Sequence, residues 1–381
     1  MKSNLTITFF SNFLLHHQTP FCEAMVKLLG NNFKFVATER IPEERLAMGY
    51  SDLSKSVDYC VNSYESEESY KTAMELGENS DVVIMGDAPD EFITERLRQN
   101  KLTFRYSERY FKEGRWRILD PRVFIYRYKH DIKNRKKNLY MLCASAYTAP
   151  DCRFIGCYNN KAFKWGYFPP VKKYEDVGKL ISSKRRASIL WAGRFLDWKH
   201  PEAPLYVAKR LKDEGYDFSL DIIGSGELEQ KIRQDIAKNG LETCVKILGT
   251  MSPEKVRENM EQSEIFLFTS DKNEGWGAVL NESMNSGCAV VASRAIGSVP
   301  YLIKDGEDGL IYKDGNLKDL YQKVKFLLDN KEVRENLGVS AYQTLTETWN
   351  ADVAAERFIK LIESIKEGKD TPFKNGPCSK D

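Results

Sequence analysis

Ile265-Phe266-Leu267-Phe268-Thr269-Ser270-Asp271-Lys272-Asn273-Glu274-Gly275-Trp276-Gly277-Ala278-Val279-Leu280-Asn281-Glu282 reads as an apolar strand, a polar loop and the opening of a helix. The helix ends at Gly287, and a second apolar strand, Ala289-Val290-Val291-Ala292, follows. Two short apolar runs joined through a helix are the mark of a parallel sheet covered on both faces. The amides of Gly275, Trp276 and Gly277 have no acceptor inside the helix, and with the helix dipole they suit phosphate oxygens. Glu282 lies about one turn inside the helix and Glu274 stands at the mouth of the loop. Carboxylates accept hydrogen bonds from hydroxyls, so the two can hold a polyol on either side of a phosphate. Taken alone, Glu274 is equally readable as a solvated loop acid, and Glu282 reads more readily as an exposed helix acid.

Working outward, the same rhythm repeats. Ser188 to Ala192 is a strand that runs into Gly193-Arg194-Phe195-Leu196-Asp197-Trp198-Lys199-His200-Pro201. Arg194 and Lys199 therefore share a loop at a strand's carboxyl end. A guanidinium fork and an ammonium point charge suit a diphosphate, or they are two exposed cations. Phe218 to Ile223 is the next strand, followed by Gly224-Ser225-Gly226, whose glycines permit close backbone approach to a ligand or make a tight turn. Val245 to Leu248, then Gly249, is another strand and turn, and Ser252 with Pro253 caps the next helix. From Leu317 the pattern is helical nearly to Lys366.

In the first half, strands are expected at Leu5–Phe10, Phe33–Ala37, Asp81–Met85, Leu102–Tyr106 and Leu139–Cys143. Thr19, Pro20 and Gly30 punctuate the first helix. Ligands of open α/β sheets bind beyond the carboxyl ends of strands. That makes His16, His17 and Gln18 after the first strand, and Ser107-Glu108-Arg109 after a later one, acceptor-side candidates or plain solvated turns. The expected organisation is a Rossmann-like domain over 1–168, a linker over 169–186, a second Rossmann-like domain over 187–350, and a helix over 351–366 that returns to the first domain. The tail 367–381 is polar and expected to be loose.

At 381 residues the chain suits two domains. It has no apolar run long enough to cross a membrane, and its start reads as a strand, not a signal peptide. Eight cysteines are scattered without a Cys-x-x-Cys pair, and four histidines show no zinc spacing, so no metal site and a cytoplasmic setting are expected. Net charge is only +2, but residues 96–137 hold 15 Lys or Arg against four acids, with eight aromatics interleaved. Such a segment reads as a docking surface for anionic lipid on the inner leaflet, as a nucleic-acid contact or as a solvated face. No nucleic-acid-binding motif accompanies it.

With these residues assembled, Ala187 to Tyr312 resembles the family 4 (group 1) retaining glycosyltransferases of GT-B architecture. The family's Glu, seven residues, Glu signature is matched by Glu274 and Glu282 with the Glu-Gly-aromatic-Gly opening. Gly193, Arg194 and Lys199 match its Gly-Arg-x-x-x-x-Lys pattern, and Gly224-Ser225-Gly226, Gly249 and Asp305-Gly306-x-x-Gly309 follow in family order. The resemblance implies two Rossmann-like domains facing a cleft, with a nucleotide-diphosphate sugar held mainly by the second. Arg194 and Lys199 would hold the diphosphate, Glu274 the donor sugar and Glu282 the ribose. Gly193, Gly224, Gly226, Leu248, Gly275, Trp276, Gly277 and Ala278 would line the donor site, with His17, Gln18, Ser107 and Glu108 on the acceptor side. It further implies retaining, metal-independent transfer of a hexose or N-acetylhexosamine, UDP-linked, to a carbohydrate or lipid-linked acceptor in cell-surface polysaccharide synthesis. The chain departs from the family in two places. Its first loop, Asn12 to Gln18, lacks glycine, and Ile296-Gly297-Ser298-Val299-Pro300-Tyr301 stands where many members carry Gly-Gly-x-Pro-Glu. His130 is no clear match for the family's sugar-contacting histidine.

Two other readings are a nucleotide-sugar epimerase of the same architecture and a non-catalytic sugar-binding module. The Glu274/Glu282 spacing with Arg194 and Lys199 favours transfer over epimerisation, and loss of Arg194, Lys199 or Glu274 would be the mark of a dead site.

Overall fold

A computed structural model describes residues 5–43 and 52–381. The chain divides into two units, Met1–Pro170 with Asn350–Asp381, and Val171–Trp349.

The first unit is built on a seven-stranded sheet of β1 (Ile7–Ser11), β2 (Phe33–Ala37), β3 (Cys60–Asn62), β4 (Val82–Met85), β5 (Thr103–Ser107), β6 (Leu139–Cys143) and β7 (Ala162–Lys164). Their spatial order is β3-β2-β1-β4-β5-β6-β7, and every named pairing is parallel. Ile7 sits opposite both Phe33 and Val82, so the first strand is central and buried along its length, Thr8 and Ser11 included. β3 and β7 were not among the expected strands. Both are short edge strands with few apolar residues, too little pattern to read. The helix Ala351–Lys366, N-capped by Asn350 Oδ1 accepting from Val353 N at 3.0 Å, joins this unit. Its Phe358 packs among Phe21, Phe104 and Trp165.

The expectation of a loose tail over 367–381 is corrected. Lys164 N donates to Ser379 O at 2.8 Å, Cys378 N to Lys164 O at 2.8 Å and Asp381 N to Ala162 O at 3.2 Å, so the tail pairs antiparallel with edge strand β7. Cys378 and Ser379 are fully buried. A polar segment without periodicity hides this because an edge strand offers backbone groups to any partner, whatever its side chains.

The second unit holds a six-stranded parallel sheet in the order β10-β9-β8-β11-β12-β13. The strands are β8 (Arg185–Ala192), β9 (Ser219–Ile223), β10 (Val245–Gly249), β11 (Ser263–Phe268), β12 (Ala289–Ser293) and β13 (Leu310–Tyr312). Successive strands run outward from β8 to one edge, and the chain then returns to β11 on the other side of β8. This reversal is the point where neighbouring connections diverge and leave a crevice at the strands' carboxyl ends. The stretch 169–186, expected as a linker, is largely part of this unit. Lys172 N donates to Asn285 Oδ1 at 2.8 Å, and Tyr174 OH to Glu261 Oε1 at 2.6 Å. The helix Val177–Ser182 buries Ile181, and the Lys184 ammonium donates to Met260 O and Ser286 O at 2.7 and 2.9 Å. Among the described residues no helix is long and apolar enough to cross a membrane.

Candidate functional site

Arg194 and Lys199 follow β8, and Glu274 to Glu282 follow β11, the two strands that flank the reversal of the second sheet. The loops are tied at their roots. Thr269 Oγ1 accepts from Trp191 Nε1 and donates to Lys199 O, both at 2.8 Å, and Asp271 N donates to Trp198 O at 3.0 Å. With the backbones fixed, the Lys199 ammonium meets the Glu274 carboxylate directly, and Ser270 Oγ donates to the same oxygen at 3.0 Å. Both side chains are largely buried. Lys199 Nζ also lies 4.4 Å from the Trp198 ring centroid, a cation–π contact that limits where the ammonium can go. Arg194, by contrast, is exposed.

Glycines of the second unit bring two loops of the chain together. Gly224 has φ +130°, and a Cβ there would stand 1.9 Å from Gly193 O; one on Gly226 would stand 2.8 Å from Phe195 O. Phe195 N donates to Ser225 O at 2.8 Å and Gly193 N to Ile223 O at 3.0 Å. The close approach is thus between two loops of the chain, and it fixes the course of the cation loop. Gly277 is also obligatory: its φ is +78°, and a Cβ would fall 2.3 Å from the Phe268 ring. That conformation is outside the helical region, so the helix opens later than the sequence suggests, at Val279, with Ala278 as N-cap. Leu248 sits at the irregularity near the end of β10, half-buried.

Trp276 is fully buried by its indole, whose Nε1 donates to Asn281 Oδ1 at 2.9 Å and whose ring neighbours are Tyr301 and Trp349. Ser298 Oγ donates to Trp276 O at 2.5 Å, and Gly297 N to Glu274 O at 3.3 Å. The segment 296–301 therefore holds the Glu274–Gly277 backbone from behind. Glu282 is half-buried, and burial pushes its carboxyl up to about 7, against the pull of Arg257. His200, in a left-handed conformation at φ +52°, contacts Glu202 Oε1 at 2.9 Å, which raises its pKa. Ser270, Thr269 and His200 escaped the reading of the sequence. Their only signal was their place just beyond a strand's carboxyl end.

Residues 173–344 match the model of the family described as glycosyl transferases group 1. The chain carries a group 1 glycosyltransferase domain. This group 1 domain is similar to an uncharacterized glycosyltransferase of Methanocaldococcus jannaschii, 34% identical over 39% of this chain and 40% of the relative. It is also similar to the amylovoran biosynthesis glycosyltransferase AmsK of Erwinia amylovora, 28% identical over 46% of this chain and 44% of the relative. The matches thus span less than half the length of these relatives. In fold, 95% of the chain superimposes on all of the lipopolysaccharide outer core galactosyltransferase WaaB at a TM-score of 0.68 and 17% identity. HepE of Anabaena, solved in complex with UDP, matches 94% of the chain over its whole length at 0.68 and 12%. The group 1 domain and the first unit together have the GT-B fold.

In the first unit, His17 and Glu108 are brought together through a residue the sequence did not single out. The His17 ring stacks on Tyr167 at 4.4 Å, and Tyr167 OH donates to Glu108 Oε1 at 2.8 Å. Lys112 Nζ donates to Glu108 Oε2 at 2.7 Å. Gln18 is buried, and its amide is engaged by its own loop: Oε1 accepts from Leu15 N at 3.1 Å and Nε2 donates to Ser11 Oγ at 3.2 Å. It braces the glycine-free turn. Ser107 Oγ donates to Glu108 O at 2.9 Å. His130 is a framework residue, its Nδ1 2.6 Å from Asp90 Oδ2, where Arg105 also binds Asp90 through two nitrogens. Burial opposes ionisation of Asp90, yet these two partners hold its pKa down at about 2.

Proposed function

We propose that the chain transfers a sugar from a UDP-linked donor to a carbohydrate or lipid-linked acceptor, with retention of configuration and without a metal ion. The observation that carries this reading is the meeting of Lys199 and Glu274. Far apart in sequence, they are held together by tied loops at the reversal of the second sheet, with Arg194 on the same loop and Glu282 one turn into the following helix.

In this reading the donor diphosphate takes the place that the Glu274 carboxylate now occupies beside Lys199. Arg194 offers its planar fork to the same phosphates. As the bond from the anomeric carbon to the diphosphate oxygen breaks, these cations and the Gly275–Gly277 amides stabilise the negative charge that develops on the leaving group. The acceptor hydroxyl attacks the same face, and its proton passes to a phosphate oxygen of the leaving nucleotide. Glu274, released from Lys199, accepts hydrogen bonds from the sugar hydroxyls, and Glu282 accepts from the ribose diol. The His17–Tyr167–Glu108 group contributes the acceptor side, and the enzyme works as a peripheral protein of polysaccharide synthesis.

The test is a titration with a panel of nucleotide-sugars, following release of the nucleoside diphosphate. UDP-sugars should bind and turn over, and Lys199→Ala should abolish turnover. If no nucleotide-sugar binds, or Lys199→Ala releases nucleotide at the wild-type rate, the reading is wrong.

A further inference from the structure

We propose that residues 109–130 dock the protein on a bilayer containing anionic phospholipid. An apolar ridge enters the interface, and a cation-lined cavity beside it takes a headgroup phosphate. The helix Pro121–His130 carries the argument because it is turned inside out. A surface helix ordinarily buries its apolar stripe and shows its charges to water. Here no residue of the helix is fully buried, and Phe124, Ile125, Tyr126 and Tyr128 are exposed. Two of its polar residues, Arg127 and His130, face the body of the unit instead, while Arg122 and Lys129 stand exposed beside the apolar residues. Arg127, with a side chain 19% exposed, binds Asp131 Oδ2 at 3.1 Å and lies 3.6 Å from the Tyr110 ring centroid; His130 binds Asp90. Just before the helix, Trp116 is 60% exposed and Leu119 81%. A helix anchored by its charges leaves its apolar side for another partner.

The cavity selects that partner. It has a volume of about 580 Å³ and is lined by five cations, Arg109, Lys112, Arg117, Arg122 and Arg127. Two carboxylates in its wall, Glu113 and Asp120, pair with Arg117 and Arg122 at the exposed rim, and Lys112 and Arg127 pair with Glu108 and Asp131; a phosphate would compete for the exposed pairs. Arg109 Nε is buried without a hydrogen-bond partner, the nearest Asp151 oxygen standing at 3.8 Å. An apolar ridge alone would suit a second copy of the chain. A ridge flanked by cations, one of them with an unused donor, is complementary to lipid tails below a plane of phosphates. Lys112 lines the cavity and also binds Glu108, so docking would bring the bilayer surface to the His17–Tyr167–Glu108 group.

Flotation of the full chain tests this, with vesicles of phosphatidylcholine alone and of phosphatidylcholine and phosphatidylglycerol in equal parts, at low and high salt. The wild type should float with the anionic vesicles only. Leu119→Asp with Ile125→Asp should abolish flotation. Arg117→Glu with Arg122→Glu should lower partitioning on the order of tenfold. Lys133→Glu with Lys136→Glu, the same charge change at exposed sites outside the cavity, should lower it less. Nucleotide release and thermal unfolding should stay at wild-type values in all three, which separates docking from transfer. Four results would overturn the proposal: no flotation of the wild type, equal flotation with neutral vesicles, no loss in the ridge variant, or equal losses in the two charge-reversal variants. Self-association of the wild type that the ridge variant loses, without vesicle binding, would assign the surface to a second copy instead.

Discussion

Lys199 and Glu274 form a largely buried pair whose members answer to different demands. Removing the ammonium leaves a buried carboxylate without its cation, so Lys199→Ala should cost about 3 kcal/mol of stability as well as activity. Pairing Lys199→Met with Glu274→Gln should restore most of that stability, while turnover stays down by roughly a hundredfold or more. Denaturant unfolding and nucleotide release, measured on the same variants, separate the two effects. Glu282 makes a prediction with a sign. Its carboxyl titrates near 7 in the folded chain against 4.5 as the ordinary value. A raised acid favours the folded state fully below the ordinary value and loses that contribution as pH rises through about 7. The ligand-free protein should therefore lose stability between about pH 4.5 and 7 through this group. Glu282→Gln should raise the melting temperature by several degrees at pH 8 and leave it unchanged at pH 4. The same substitution should weaken UDP binding about tenfold, because a hydrogen bond to a charged acceptor is lost.

At the scale of elements, the loop after β8 takes its course from the loop after β9. Gly224→Ala would drive a Cβ into the Gly193 carbonyl, with the backbone itself in a region side chains avoid, and should destabilise the second unit by about 2 kcal/mol or more. Gly249→Ala, at φ +76° with nothing near its Cβ, should cost only about 1 kcal/mol. Denaturant midpoints of the two variants give the comparison. Most strands and helices were legible because buried parallel strands are largely apolar and Gly, Pro and Ser mark the turns between them, whereas the short edge strands β3 and β7 were not. The candidate site residues were legible as residue types at strand ends, and that is where they lie. The site's geometry was not: nothing in Gly224-Ser225-Gly226 says that the glycines face another loop, and nothing in Gly275-Trp276-Gly277 says that the helix waits until Val279. Tyr167, which joins His17 to Glu108, was hidden for a related reason. A tyrosine among aromatics at the end of a sheet reads as packing, and only tertiary structure reveals what its hydroxyl reaches.

For the whole molecule, two units with separate sheets should unfold in two transitions. UDP at about one hundred times its Kd should stabilise the second unit alone, by about 2.7 kcal/mol, and move only its transition in calorimetry. Deleting residues 371–381 removes the antiparallel partner of β7 and the buried Cys378 and Ser379, and should lower only the other transition. Movement of both transitions in either experiment would mean that the units melt as one.

The crossing of the glycine turn with the Gly193–Phe195 backbone also sets how this protein can be recombined. A loop transplanted from a relative at residues 193–200 would arrive without the bare backbone on which it rests. A chimera should keep its fold only when 224–226 travels with it, so the two segments make one exchangeable cassette although they are separate in the chain.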